Sequence, residues 1–166
     1  MSSIGSSKDV STFQRVVFVL NSAFACALPV YLYHTVFDMD VEQYAPVFGV
    51  VTLVAAVILS MAMGNSATKI FGDLISKRGS TITNARIKSV GKLTPEIRAQ
   101  LEHELRSNSS SEALSYAILY NNAFFYAVFL FFAYYLFASL TPTGNYVASV
   151  VGGAGFVYFV STSRST

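Results

Sequence analysis

Four apolar runs divide the chain, and polar segments of very different length separate them. The first extends from Val16 to Phe37, 22 residues. The second covers Tyr44–Met63, inside an interval without charge between Glu42 and Lys69. Further on, 51 consecutive residues between Glu112 and Arg164 contain no Asp, Glu, Lys or Arg. As one helix at about 1.5 Å per residue, that tract would run roughly 76 Å, more than twice the ~30 Å hydrocarbon core of a bilayer. It must therefore fold back on itself. The break falls at "TPTGN" (Thr141–Asn145), where Pro and Gly in a polar cluster mark a turn. This leaves a third span, Tyr116–Leu140, and a fourth, Tyr146–Thr162. The fourth has 17 residues, short for a full crossing, and holds Gly152, Gly153 and Gly155, which permit close helix approach. The pattern predicts an all-α membrane protein with four transmembrane helices.

Between spans two and three lies the only segment large enough to leave the bilayer, Gly64–Ser115. "TKIFGDLISKRG" continues the second helix, with Ile70, Phe71, Leu74 and Ile75 on one side. A second helix starts at Thr94 as N-cap and Pro95 as first helical residue. Its apolar stripe is Ile97, Leu101 and Leu105, and Glu102 and Arg106 form a favourably oriented i,i+4 pair. "SNSSSE" reads as a loop, with Ser111 capping the helix that becomes span three. The prediction is a helical hairpin between helices 2 and 3. The chain then divides into a tail (1–15), a helix pair (16–63), the hairpin segment (64–115), a second pair (116–162) and a short tail (163–166).

Charge supplies the orientation. Of 166 residues, 53% are hydrophobic and 12% charged, against about 25% charged in a soluble domain. All 11 Lys and Arg lie in the tails or the middle segment, and the turns "DMDVEQ" and "TPTGN" hold none. The first turn carries Asp38, Asp40 and Glu42, leaving six acids and eleven bases elsewhere. The positive-inside rule then places both termini and the hairpin in the cytosol. There, an Asn-Ser-Ser acceptor at Asn108 stays unmodified. The first run exceeds the 7–15 residues of a signal-peptide core and reads as a mature helix. Cys26 is the lone cysteine, so no intrachain disulfide forms.

Candidate chemistry is sparse. Between Asp73 and Glu96 stand Lys77, Arg78, Arg86, Lys88 and Lys92 without an intervening acid. Two readings stay open: contact with anionic lipid head groups, at about 1 kcal/mol per residue, or contact with a polyanion such as RNA. His34 reads as a headgroup contact, and "DMDVE" lacks the fixed cage that Ca²⁺ needs. No zinc spacing, phosphate loop or nucleophile–base arrangement occurs, so neither catalysis, cofactor nor metal is expected. The absence of charged residues at span centres argues against a transporter or channel, which stays an alternative, as does a lipid-bound membrane scaffold. Asn121 and Asn122 lie one to two turns inside span three, where amides hydrogen-bond to neighbouring helices or reach interfacial water.

The same asparagines carry a resemblance. "LYNNAFF", "TPTGNY" and "FVSTSRS", with "NSAFACALPVYLYHTVFDMD" and "VVTLVAAV" towards the N-terminus, resemble the gamma-subunit family of the translocon-associated protein complex, also called signal sequence receptor gamma. The resemblance covers the four spans and does not reach into the middle segment. It implies a multi-pass endoplasmic reticulum membrane protein beside the Sec protein-conducting channel. It also implies a membrane part that holds alpha, beta and delta subunits, and a hairpin that contacts ribosomal RNA and protein near the tunnel exit. The implied role is non-catalytic help in co-translational translocation and membrane insertion.

Overall fold

The computed structural model describes residues 12–90 and 95–163, with residues 80–90 and 98 described by backbone alone. Lys92 lies outside the described residues. Four long helices account for nearly all of it: α1 Thr12–Thr35, α2 Val41–Val90, α3 Pro95–Phe131 and α4 Pro142–Ser163. A five-residue π-helical turn, Phe132–Leu136, prolongs α3. Each of the four is long and apolar enough to cross a membrane.

α2 has 50 residues, about 75 Å of helix. With its π turn, α3 runs 42 residues, about 63 Å. Both far exceed a ~30 Å hydrocarbon core, and the surplus of each lies at the α2–α3 connection. There the two arms form an antiparallel hairpin, joined by the ion pair Arg78–Glu112 at 2.8 Å.

Two local expectations need correction. The Ser-rich stretch is not a loop, because α3 passes through Ser107–Glu112 without a break and Ser111 caps nothing. Serine costs a helix only about half a kcal/mol relative to alanine, and its small side chain lets α3 lie close to α2. Ser109 and Ala113 are both buried, and the Ser115 hydroxyl donates to the Ser111 carbonyl within the helix. Span four is also longer than its apolar core. It starts at Pro142, inside the segment read as a turn, and has 22 residues, about 33 Å. Thr141 is its N-cap: the Gly144 amide donates to Thr141 Oγ1 at 3.3 Å, and Pro142 occupies the first helical position. Asp40 caps α2 likewise, accepting from the Glu42 amide at 3.1 Å.

Burial follows a period of four along α3. Leu101 and Leu105 are half-buried, and Ser109, Ala113, Ala117, Asn121, Phe125, Phe129 and Ala133 are buried. Each step of four advances about 40° around a helix, so this stripe spirals. The contact passes from α2 near the hairpin, where Ala117 clusters with Met63 and Ala67, to α4 near the π turn. Tyr33, Tyr146, Phe125, Phe129 and Leu59 fill the interior. Val19, Leu20, Phe24, Val50, Leu53, Val57, Phe131 and Phe159 face outward. An outer surface this apolar is stable against lipid and not against water. α2 packs along all three other helices, while α1 only grazes α3 and α4.

Candidate functional site

Two regions stand out from the apolar background: the charged hairpin and a ladder of polar side chains through the bundle.

In the hairpin, Lys77 and Arg78 are exposed on α2. Lys77 and Lys88, eleven residues apart, fall within about 20° of each other around the helix, and Arg86 falls about 180° from Lys77. The structure therefore puts Lys77, Arg78, Arg86 and Lys88 on one arm, α2. Arg78 is committed to Glu112 on α3, so it clasps the arms together. The α3 arm carries Glu96, Glu102, Glu104 and Glu112. Arg98 and Arg106 offset two of these four acids, so the hairpin has one basic arm and one of mixed, net acidic charge.

Beneath it, the adjacent asparagines serve different neighbours. A step of one residue turns 100° around a helix. Asn121, fully buried, donates to the Ala117 carbonyl at 2.7 Å and accepts from Ser66 Oγ of α2 at 3.5 Å. Asn122 faces α1 and forms a reciprocal amide pair with Asn21: Asn21 Nδ2 donates to Asn122 Oδ1 at 3.1 Å, and Asn122 Nδ2 returns the bond at 3.3 Å. Asn21 was not singled out from sequence, since nothing local marks a partner 101 positions away.

Near the opposite end lies a second node. Asn145, buried, donates to the Ala133 carbonyl at 2.9 Å and accepts from Tyr33 Oη at 2.7 Å. The Ser149 hydroxyl lies 3.0 Å from both Tyr33 Oη and Asn145 Oδ1. Ala133 belongs to the π turn, where Phe137 N–H reaches back to Phe132 O at 2.8 Å. That altered register leaves a carbonyl for a side chain to satisfy. One amide therefore joins α1, α4 and the end of α3.

The glycines divide. A Cβ on Gly153 would lie 3.5 Å from the Phe129 backbone and the Phe125 ring, and one on Gly152 would lie 3.3 Å from the Phe132 ring. Gly155 corrects the expectation: a Cβ there meets nothing within 4 Å, so it makes no close helix approach. Lys69 of α2 adds a contact that sequence reasoning missed. Its ammonium donates to the Ser161 carbonyl and, at 3.2 Å, to that of Thr162, closing the C-terminal end of α4 as a cation does at a helix C-terminus.

These contacts order the ends. Gln14 of α1 meets Ser110 of α3 at 2.8 Å, and Lys69 meets the end of α4. Hence the N-terminus of α1, the C-terminus of α4 and the hairpin share one side. The α1–α2 and α3–α4 turns share the other.

The fold and its polar ladder define a class: a four-span membrane protein whose second and third helices extend beyond the bilayer as a clasped hairpin. A family model described as "Translocon-associated protein, gamma subunit (TRAP-gamma)" matches residues 5–163, the hairpin included. The chain is also 35% identical over 155 residues to a Dictyostelium discoideum protein named "Translocon-associated protein subunit gamma", covering 93% of this chain and 90% of that one. The chain belongs to the translocon-associated protein gamma-subunit family.

Proposed function

We propose that this chain is a non-catalytic accessory subunit of the endoplasmic reticulum ribosome–translocon assembly. It bridges the translating ribosome and the Sec channel, and so assists co-translational translocation and membrane insertion. The observation that carries this reading is the family match running through a hairpin with a basic arm. On this reading the hairpin and both termini are cytosolic, in keeping with the distribution of Lys and Arg. Lys77, Arg86, Lys88 and Lys92 meet ribosomal phosphate, and Arg78 holds the arm in place through Glu112. The bundle, with its apolar exterior, holds sister subunits alpha, beta and delta where they occur and is otherwise sealed by lipid. The basic arm is long and narrow, which suits tracking a phosphate backbone better than enclosing a small ligand.

Purification from gently solubilised microsomes, in low and then high salt, tests this reading. Co-elution with Sec channel subunits and ribosomes, with the ribosomes lost at high salt, is the expected result. Elution alone or with lipid only contradicts it and leaves a membrane scaffold.

A further inference from the structure

Two donors compete for one acceptor at the π turn. In an α-helix the Phe137 N–H would donate to the Ala133 carbonyl, four residues back. Here it donates to the Phe132 carbonyl at 2.8 Å, and the Asn145 side-chain amide takes the Ala133 carbonyl at 2.9 Å. The rings of Phe132 and Phe137 meet at 5.5 Å. An α-helix sets residues five apart about 140° around its axis, so this ring pair belongs to the π register. Either donor satisfies Ala133, and each choice gives α3 a different end.

The position of Asn145 is set from α1. Its side-chain oxygen accepts from the fully buried Tyr33 at 2.7 Å. The Tyr33 ring stacks on Phe37 at 4.4 Å, and Phe37 leans on Tyr134 of the π turn at 5.8 Å. Tyr33 is tied in turn to the α1–α2 connection, where buried Met39 donates its backbone N–H to the Tyr33 carbonyl at 3.1 Å. That connection depends on Asp38, whose φ of 52° is left-handed, a region that few residues other than Gly, Asn and Asp enter. One turn before Tyr33, Pro29 has no N–H for the Ala25 carbonyl, which Tyr126 takes instead. The last turns of α1 are thus joined to the rest of that helix by one backbone bond fewer than usual.

We propose that the end of α3 has two registers and that Asn145 is the latch between them. With Tyr33 seated, the amide proton rests on Ala133 and the turn is π. When the α1–α2 connection shifts and Tyr33 withdraws, the amide leaves. The orphaned Ala133 carbonyl then takes the Phe137 N–H, and the turn becomes α. Residues 137–140 rotate about 100° relative to α3. A contact made on the α1–α2 connection therefore resets the α3–α4 connection, and by linkage the reverse holds. The latch is a property of the single chain, so it stands or falls apart from the subunit reading.

A 4-fluorophenylalanine at position 137 of the full chain in lipid nanodiscs reads the register by fluorine NMR. Saturation transfer should find a minor signal, populated at about 0.1–10%. Asn145→Leu makes that signal dominant, at the same chemical shift. Tyr33→Phe raises its share at least threefold, and Ser149→Ala, which leaves both donors to Ala133 in place, does not. Asp38→Pro, which cannot hold a left-handed φ, raises the share as much as Tyr33→Phe does. Asp38→Gly, which can hold it, leaves the share unchanged. A merely structural role for these residues would give each variant a shift of its own. A single signal in every variant, or unrelated shifts in Asn145→Leu and Tyr33→Phe, overturns the two registers. A response to those two variants without one to Asp38→Pro overturns the coupling between the connections. Should Asn145→Leu fail to fold, Tyr33→Phe and Asp38→Pro decide by the same readout.

Discussion

Tyr33 Oη donates to Asn145 Oδ1 at 2.7 Å, and through that bond the last turns of α1 are tied to the first turn of α4. The same amide donates to Ala133, so removing it orphans that carbonyl and leaves the phenol only the Ser149 hydroxyl. A buried polar group left without a partner costs about 1–3 kcal/mol, whereas side-chain hydrogen bonds between transmembrane helices average only about 0.6 kcal/mol. Asn145→Ala should therefore destabilise more than Tyr33→Phe, which removes one donor and leaves the amide its other partners. Thermal unfolding of the two single variants and the double variant in one detergent measures this. A coupling of about 0.6–1.7 kcal/mol is expected, and strict additivity would show that the bond does not hold the helices.

Gly152, Gly153 and Gly155 should respond differently to the same change. At Gly153 an added side chain faces the Phe129 backbone, which cannot move aside, so Gly153→Leu forces α3 and α4 apart at about 1–3 kcal/mol. Gly152→Leu meets a ring that can rotate and costs less. Gly155→Leu starts in open space and should stabilise the helix by up to about 1 kcal/mol. Unfolding midpoints ordered 155, 152, 153 from highest to lowest support this packing; equal losses at 153 and 155 refute it.

Lys69→Met removes the cation from the end of α4. A charge at a helix terminus contributes about 0.3–1 kcal/mol, rising towards 2 in partly buried geometry. Hydrogen exchange of residues 158–163 should accelerate several-fold while that of α1 stays unchanged. Uniform acceleration throughout would assign Lys69 a global role instead.

The Arg78–Glu112 pair is half-exposed, and water screens such surface pairs. Its removal should loosen the hairpin without unfolding the bundle. Protease cutting in the hairpin should increase in Arg78→Glu and return towards normal in Arg78→Glu with Glu112→Arg. No recovery in the double variant would mean that the pair does not clasp the arms.

Elements that rest on local rules were legible in the sequence. The start of α3 at Pro95, the continuation of α2 past Lys69 and the four apolar spans all follow from helix-start chemistry and run length, while the Thr94 cap lies outside the described residues. Misreading came where a local signal competes with packing. Serines 109–111 favour loops in isolation, but a stripe of small residues against α2 outweighs their weak preference. "TPTGN" reads as a turn because Pro and Gly usually end helices, yet behind a Thr cap the same residues begin one. The polar ladder was legible only in part, since its bonds between helices join residues 12 to 116 positions apart. Asn121 and Asn122 betrayed themselves by being amides inside an apolar run. Asn21 carries the same mark inside the first run, whereas Tyr33 and Lys69 leave no such trace, because what singles each out is a partner on another helix.

The central claim is that the basic arm carries phosphate contact, and ribosome binding by charge-reversed chain tests it most directly. Co-sedimentation of purified ribosomes with reconstituted wild-type chain and with the variant Lys77→Glu, Arg86→Glu, Lys88→Glu would be measured across a salt series. Each phosphate contact contributes roughly 0.7–0.9 to the slope of log affinity against log salt. The account predicts a loss of more than tenfold at low salt and a slope smaller by about two to three. Binding of equal strength and equal salt dependence in the two chains would contradict it.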